Sequence, residues 1–257
     1  MIQIKNAKEL EGMRRANALS AAALKFGGEQ IEAGMTTWEL DKLICDFILK
    51  HGGKPNFKGL YGFPGAACIS LNDTVIHGIP SHSEVIRPGD IISIDTGAKV
   101  DGFNGDNACT YACGKIDLEA RRLLDVTKEA LHLGIAQAVA GNRIGDIGHA
   151  VQTYCEAAGF SVVRDFVGHG TGKELHEDPE VPNYGTPGRG PRLVPGMTIA
   201  IEPMTCQYDY KIKTLADGWT VKTRDGGLAA HFEHSVAILK DRTEVMTRGW
   251  EDPDFTL

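Results

Sequence analysis

Two stretches of this chain match each other at a single offset. Pro88-Gly-Asp-Ile-Ile-Ser-Ile-Asp95 resembles Pro195-Gly-Met-Thr-Ile-Ala-Ile-Glu202, and 195 − 88 = 107. Gly34-Met-Thr-Thr-Trp-Glu-Leu, with a helix ending at Gly52, resembles Gly141-Asn-Arg-Ile-Gly-Asp-Ile, with a helix ending at Gly159, and 141 − 34 = 107 again. Either match alone is weak; two at one offset imply a doubled unit. The expected architecture is two similar α+β halves, about residues 1–114 and 115–257, packed as one domain about a pseudo-twofold axis. A chain of 257 residues is long enough for one such domain with a full core. Asp95 and Glu202 then occupy equivalent positions, each ending an apolar strand, and meet near the centre from opposite halves.

The elements follow from local signals. Residues 7–26, rich in Ala, Leu, Lys and Glu, read as a helix. Thr36 or Thr37 caps a second, with Glu39 in its first turn and Gly52-Gly53 beyond its end. The apolar runs 67–71 and 91–98 read as strands, with a partner strand ending near Tyr111. Asp117 caps a long helix through about Ala140, and another runs from about Ile144 to Ala158. Strands at 198–204, 219–223 and 230–239 alternate with Pro/Gly-rich loops, and no composition break marks a linker.

Composition narrows the class. The net charge of −7 argues against a general nucleic-acid binder. The N-terminal stretch has no apolar signal core, and no run approaches the length of a membrane span. The expectation is a cytoplasmic protein that does not use a membrane. The six cysteines form no C-x-x-C pair, and Cys109 and Cys113 lack a second ligand pair. They read as reduced core thiols.

The chemistry lies in carboxylates set within strands. Burying one without compensation is costly, and a single one reads most simply as a turn or cap residue. Here the pattern recurs. Asp95 ends one apolar run, and Asp106 follows the Asp101-Gly102 turn signal. A hairpin centred near 100/101 sets 95 opposite 106, since 95 + 106 = 201 = 100 + 101. A centre on Asp101-Gly102 shifts this register, and a bulge restores it. Directly opposed side chains have β-carbons roughly 5 Å apart, so two carboxylates there repel unless a cation lies between them. Glu202 ends TIAIE, and Glu233 lies in HFEHSVAI, where residues 231, 233 and 235 share one strand face. Four carboxylates match the charge of two divalent ions. His169, in Gly168-His-Gly-Thr-Gly172, adds an imidazole on a loop whose glycines permit close backbone approach. Such a donor set suits Mn, Fe, Co or Zn, and a pair of ions roughly 3.5–4 Å apart can activate one water for hydrolysis. The glycine loop lacks the Lys-Ser/Thr ending of a phosphate-binding P-loop. His77, in Val75-Ile-His-Gly-Ile-Pro80, and His176, in Leu175-His-Glu-Asp-Pro179, are further candidates. The histidines at 51, 82, 132, 149, 231 and 234 read as structural.

Several motifs go beyond these arguments: N-D-T-V-I-H-G-I-P (72–80), S-I-D-T-G-A (93–98), G-D (105–106), G-H-G-T-G (168–172), L-H-E-D-P (175–179), I-E-P-M (201–204), D-G-W-T-V-K-T-R-D (217–225) and F-E-H-S-V-A-I (232–238). Through them nearly the whole chain closely resembles methionine aminopeptidase of type I, a peptidase family with the pita-bread fold. That fold is α+β, with two pseudo-twofold-related halves, antiparallel sheet and outer helices, and it accounts for the 107-residue repeat.

The resemblance implies a ligand set for two divalent ions (Co, Mn, Fe, Zn or Ni). Asp95 would chelate one ion, His169 and Glu202 the other, and Asp106 and Glu233 would bridge them. A metal-bridging hydroxide would attack the scissile carbonyl. Glu202 would shuttle the proton, His176 would hydrogen-bond the carbonyl oxygen or the developing tetrahedral centre, and His77 would contact the scissile-bond nitrogen or leaving amine. Phe63, Cys68, Leu175 and Trp219, with Tyr61 nearby, would form the methionine pocket. A monovalent cation would sit near Asn72 and Thr74, held mainly by backbone oxygens. The implied substrates are the N-termini of nascent polypeptides whose second residue is small, with transient ribosome contact. Leu175 stands where an aromatic residue is common in the family, Ala229 where some members have serine, and the N-A-C-T-Y segment after Asp106 is variable. There is no N-terminal zinc-binding extension and no long insertion before Glu233, as in the short bacterial or organellar form. The nearest rival is a proline-specific pita-bread peptidase, which usually carries an extra N-terminal domain. A non-catalytic relative would be expected to have lost ligands, and a structural zinc site would favour cysteines.

Overall fold

A computed structural model describes all residues, 1–257. The chain runs twice through a similar order. Helices α1 (Ala7–Glu29) and α2 (Thr37–Lys50) precede strands β1 (Lys54–Pro55), β2 (Ala67–Leu71), β3 (Thr74–Ile76), β4 (Ile91–Val100) and β5 (Phe103–Ala112). Helices α3 (Leu118–Gln137) and α4 (Ile144–Ala157) then precede β6 (Ser161–Val162), β7 (Gly168–Gly170), β8 (Glu177–Val181), β9 (Thr198–Ile201) and β10 (Met204–Cys206). The hairpin β11 (Ile212–Thr214) and β12 (Val221–Thr223) leads to β13 (Ala229–His231), β14 (Glu233–Ile238) and β15 (Thr243–Val245). The sequence offset reappears in the elements: α2 and α4 start 144 − 37 = 107 residues apart, and β4 and β9 start 198 − 91 = 107 apart.

Caps fix the helix starts. The Asn6 side chain accepts from the amides of Lys8 and Glu9, Thr36 caps α2 with Glu39 closing a capping box, and Asp117 accepts from the Ala120 amide. Helix α1 runs past its expected end at 26 because Gly27 and Gly28 here are packing residues rather than terminators. A β-carbon at Gly27 would lie 2.8 Å from Ile44, and one at Gly28 would lie 2.3 Å from the Tyr111 ring. No helix is long and apolar enough to cross a membrane.

The main sheet has the path β1-β4-β5-β14-β9-β7-β8, with β2 also on β4 and β15 on β14. Its central ladder, β5–β14, joins the two parts of the chain, and the equivalent strands β4 and β9 flank it. One continuous apolar core draws on both parts, from Leu24, Ile44, Ile69 and Ile94 to Leu131, Ile147, Ile199 and Val236.

Two expectations about strands need correction. The β4–β5 hairpin turns on Asp101-Gly102, so Asp95 faces Ala108 and Asp106 faces Gly97; the sum is 203, not 201. Asp95 and Asp106 are therefore diagonal neighbours on one face rather than directly opposed. The run 230–239 is two strands, broken at Phe232, so His231 and Glu233 lie in different sheets. The run 198–204 breaks likewise at Glu202-Pro203, where proline cannot donate to a ladder.

The ladders place Asp95, Glu233 and Glu202 in one row, with Asp106 one step along on the same face. Cys68 faces Asp95, Asp95 faces Ala108, and Ala108 faces Glu233. The register His234↔Ile201 carries the row on from Glu233 to Glu202, since 234 + 201 = 233 + 202. Ala108, fully buried and small, leaves room between Asp95 and Glu233.

Gly105 seats α1 against this row. A β-carbon there would lie 2.4 Å from the Ala16 carbonyl oxygen and 2.8 Å from Asn17 Cα, both backbone atoms. Gly105→Ala is expected to cost about 2–3 kcal/mol, read from urea denaturation midpoints, because a packed helix must move. An unchanged midpoint would show that α1 yields freely.

Candidate active site

A cavity of about 550 Å³ is lined by Asp95, Asp106, His169, Glu202 and Glu233, and also by Tyr61, Phe63, Cys68, His77, Leu175, His176 and Trp219. Asn72 and Thr74 lie outside it. Asp95, Asp106 and Glu233 each offer an oxygen, and the three oxygens lie within 4.8 Å of one another. Oδ1 of Asp95, Oδ1 of Asp106 and Oε1 of Glu233 are buried without hydrogen-bond partners. Burial is the first cause raising all four carboxyls, Asp95 to about 8 and Asp106, Glu202 and Glu233 well above the usual range; neighbouring carboxylates add to it for the last three. So many orphaned acceptors together fit divalent cations and little else.

His169 reaches the cluster from β7, pressed between β8 and β9. A β-carbon at Gly168 would meet the Ala200 carbonyl at 2.3 Å, and one at Gly170 the Asp178 carbonyl at 2.2 Å. The glycines flanking His169 are thus required by close backbone packing. Nδ1 lies 2.8 Å from the Gly170 carbonyl oxygen, so it carries the proton. Nε2 is left with its lone pair, 3.6 Å from both Asp106 Oδ2 and Glu202 Oε1. Burial lowers the pKa of this ring to about 4, so it is neutral and able to ligate at pH 7. The backbone behind Asp106 and Glu202 is pinned. The Asp106 amide donates to Asn17 Oδ1, the Ser235 hydroxyl donates to the Asp106 carbonyl, and Asn183 Nδ2 donates to the Glu202 carbonyl.

Two neutral histidines face the same space. His77 has φ +57°, and burial lowers its pKa to about 4. It stands edge-on to Phe166 at 5.4 Å and to Trp219 at 6.1 Å. His176 stands edge-on to His169 at 4.5 Å and parallel to Tyr61 at 6.1 Å, and burial lowers its pKa. Beside the carboxylates lies an apolar cluster of Phe57, Phe63, Cys68 and Leu175, with Leu60 and Trp219 packed on it. Tyr61, 76% exposed, stands on the rim.

Some neighbours went unread in the sequence. Phe57 and Phe166 line the cavity from bends and Leu60 from a single 3-10 turn, none of which carries a periodic signal. His231, taken as structural, brings its Nε2 to 3.7 Å from Glu202 Oε2. All six cysteines are free and buried.

The family model for metallopeptidase family M24 matches residues 11–240. The chain belongs to this family. A methionine aminopeptidase of Clostridium acetobutylicum is 53% identical over 247 residues, covering 96% of this chain and 99% of the relative. The crystal structure of a Thermotoga maritima methionine aminopeptidase superimposes with a TM-score of 0.94 at 44% identity, covering 96% of this chain and 99% of that one. A Pyrococcus horikoshii prolidase shares the fold with a TM-score of 0.77 at 22% identity; the match covers 95% of this chain and 63% of the prolidase. The pita-bread fold implied by the motifs is therefore the fold of this chain, and within the M24 family the high similarity is to methionine aminopeptidases.

Proposed function

We propose that this M24 peptidase removes the N-terminal methionine from new polypeptides when the second residue is small. The observation that carries the reading is the joining of an apolar pocket to the carboxylate row: Cys68 lines the pocket and faces Asp95 in the ladder. An unbranched thioether side chain held among Phe63, Cys68, Leu175 and Trp219, with Tyr61 at the rim, would set its scissile carbonyl beside the acidic cluster.

The five ligand side chains fit two divalent ions. Asp95 would hold one, His169 and Glu202 the other, with Asp106 and Glu233 shared. Bound there, such ions would supply a water acidified toward neutral pH and charge stabilisation for the carbonyl oxygen. The protein's own groups do the rest. His176, neutral, donates a hydrogen bond to the carbonyl oxygen as negative charge grows on it. Glu202 accepts the proton that the attacking water gives up and passes it to the leaving nitrogen. His77, neutral and fixed by Phe166 and Trp219, contacts that nitrogen.

The same reading takes residues 1–257 as one catalytic domain of two related halves, about 1–114 and 115–257. It places the enzyme in the cytoplasm, in transient contact with the ribosome. A monovalent cation would lie near Asn72 and Thr74. The Asn72 side chain is committed there to Asp90 and the Ile91 amide, so backbone oxygens would hold the ion.

A Met-Gly-containing peptide assayed beside an Xaa-Pro peptide tests the activity. Cleavage of the first alone is expected; cleavage of Xaa-Pro alone would assign the site to a proline-specific peptidase. Reloading the metal-stripped protein with Mn, Fe, Co, Ni or Zn in turn identifies the working ion.

A further inference from the structure

His231 lies on β13, in a different sheet from Glu233, with its ring beside Glu202. It is 1% exposed, and its Nε2 has no hydrogen-bond partner. The Glu202 oxygen Oε2 lies 3.7 Å away, while the other oxygen, Oε1, lies 3.6 Å from His169 Nε2. Glu202 thus stands between two imidazoles, with one oxygen turned to each.

The backbone of His231 is clamped. Its amide donates to Thr110 Oγ1 at 2.8 Å, and Thr110 Oγ1 donates back to its carbonyl at 2.9 Å. Thr110 is held in turn by Ser93 Oγ at 2.8 Å, across the β4–β5 ladder. The ladder also pairs His231 with Met204 on β10, two residues beyond Glu202. The break at Phe232 frees His231 from the line of Glu233 and directs it toward Glu202 instead. A buried imidazole N–H left unpaired costs about 1–3 kcal/mol, and a movement of a few tenths of an ångström brings Oε2 within its reach.

We propose that His231 is a positioning residue for Glu202. Its neutral ring donates from Nε2 to Oε2, and this turns Oε1 toward His169 and the metal-binding cluster. The proposal rests on the reading of Glu202 as a ligand and proton carrier. His231 does not line the cavity, so it acts through Glu202 rather than on substrate.

The test compares His231→Leu, which has no donor, with His231→Gln, whose amide can reach Oε2. Metal-stripped proteins are titrated with Mn²⁺ by calorimetry, and the loaded enzymes are assayed on a Met-Gly-containing peptide. The Leu variant is expected to lose about 10–100-fold in Mn²⁺ affinity or kcat, with KM within about twofold, while Gln recovers to within about threefold of wild type. If Leu does not fold, His231→Asn, which stays polar but ends short of Oε2, should show the same loss. A variant without a reaching donor that keeps both affinity and kcat overturns the proposal, as does a Gln variant as impaired as Leu. Wild-type protein that binds Mn²⁺ but leaves the peptide intact would sink the functional reading alone, because the affinity measurement still reports on His231.

Discussion

Asp106→Asn and Glu233→Gln are each expected to abolish metal binding and peptide cleavage together. The loss in kcat/KM should reach at least about 1,000-fold, or roughly 4 kcal/mol of barrier. Both residues are buried, and each holds an oxygen with no hydrogen-bond partner in the protein. An amide in either place keeps the shape of the side chain but removes a formal charge and a ligand oxygen. The metal-free variants should nevertheless be at least as stable as metal-free wild type. Each exchanges a carboxyl that burial and its neighbours disfavour as an anion for a group that is neutral at every pH. Metal content by elemental analysis, turnover of a Met-Gly peptide and thermal midpoints with chelator separate these effects. Full activity without metal in either variant would end the metallopeptidase account of the site.

Stripped of metal, the protein should lose stability as pH rises from about 6.5 to 8. The direction follows from the carboxyls. Their pKa values are raised in the folded state, to about 8 for Asp95, so between about 4 and 8 the native state holds protons that the unfolded chain has released. Stability then falls as pH increases. His77, His169 and His231 act in the opposite sense. Their pKa values are lowered by burial, to about 4, 4 and 3, so their contribution is intact above the unfolded value near 6.5 and is lost on acidification. Below about 6.5 the two groups oppose each other; above it the carboxyls act in the destabilising direction, joined by His132, whose pKa the hydrogen bond to Glu251 raises. Asp95 alone would then cost about 2 kcal/mol between pH 6.5 and 8, which is about 4–8 °C in thermal midpoint for a chain of this length. Excess Mn²⁺ or Co²⁺ should remove the decline and raise the midpoint, since binding at 100-fold over Kd adds about 2.7 kcal/mol. A metal-free midpoint that climbs across this window would mean that the four carboxyls are not held protonated by burial.

Much of the site was legible in the sequence because its carboxylates break a strong local rule. An aspartate or glutamate ending an apolar strand contradicts the burial pattern, and doing so twice at one offset named Asp95 and Glu202 as partners. The hairpin register was misjudged by one pair. The Asp101-Gly102 loop adopts positive φ at both residues, 50° and 85°, which makes it a two-residue turn and fixes the centre between them. The error did not separate Asp95 from Asp106, because a shift of two in the sum preserves the face. The nearness of His231 to Glu202 was hidden for a different reason. HFEHSVAI alternates like one strand, and only the tertiary pairing of β13 with β10 and of β14 with β9 reveals the break. The pocket wall was partly hidden because Phe57 and Phe166 come from bends and Leu60 from a single 3-10 turn, whose positions depend on what they pack against.

The β5–β14 ladder at the middle of the sheet has a consequence for the chain as a polymer. Asp95 and Asp106 lie on one side of that seam in the sequence, and His169, Glu202 and Glu233 on the other. A cation held by both Asp95 and Glu233 would be a cross-link between residues 233 − 95 = 138 apart. It closes a loop as long as a small domain, and such closure carries a large entropic penalty in the unfolded chain. Metal capture would therefore act as a reversible clasp on a topology dominated by distant contacts. A fragment stopping short of β14 would present two aspartates with nothing to fasten, and the same act that arms the site would lock its two parts together.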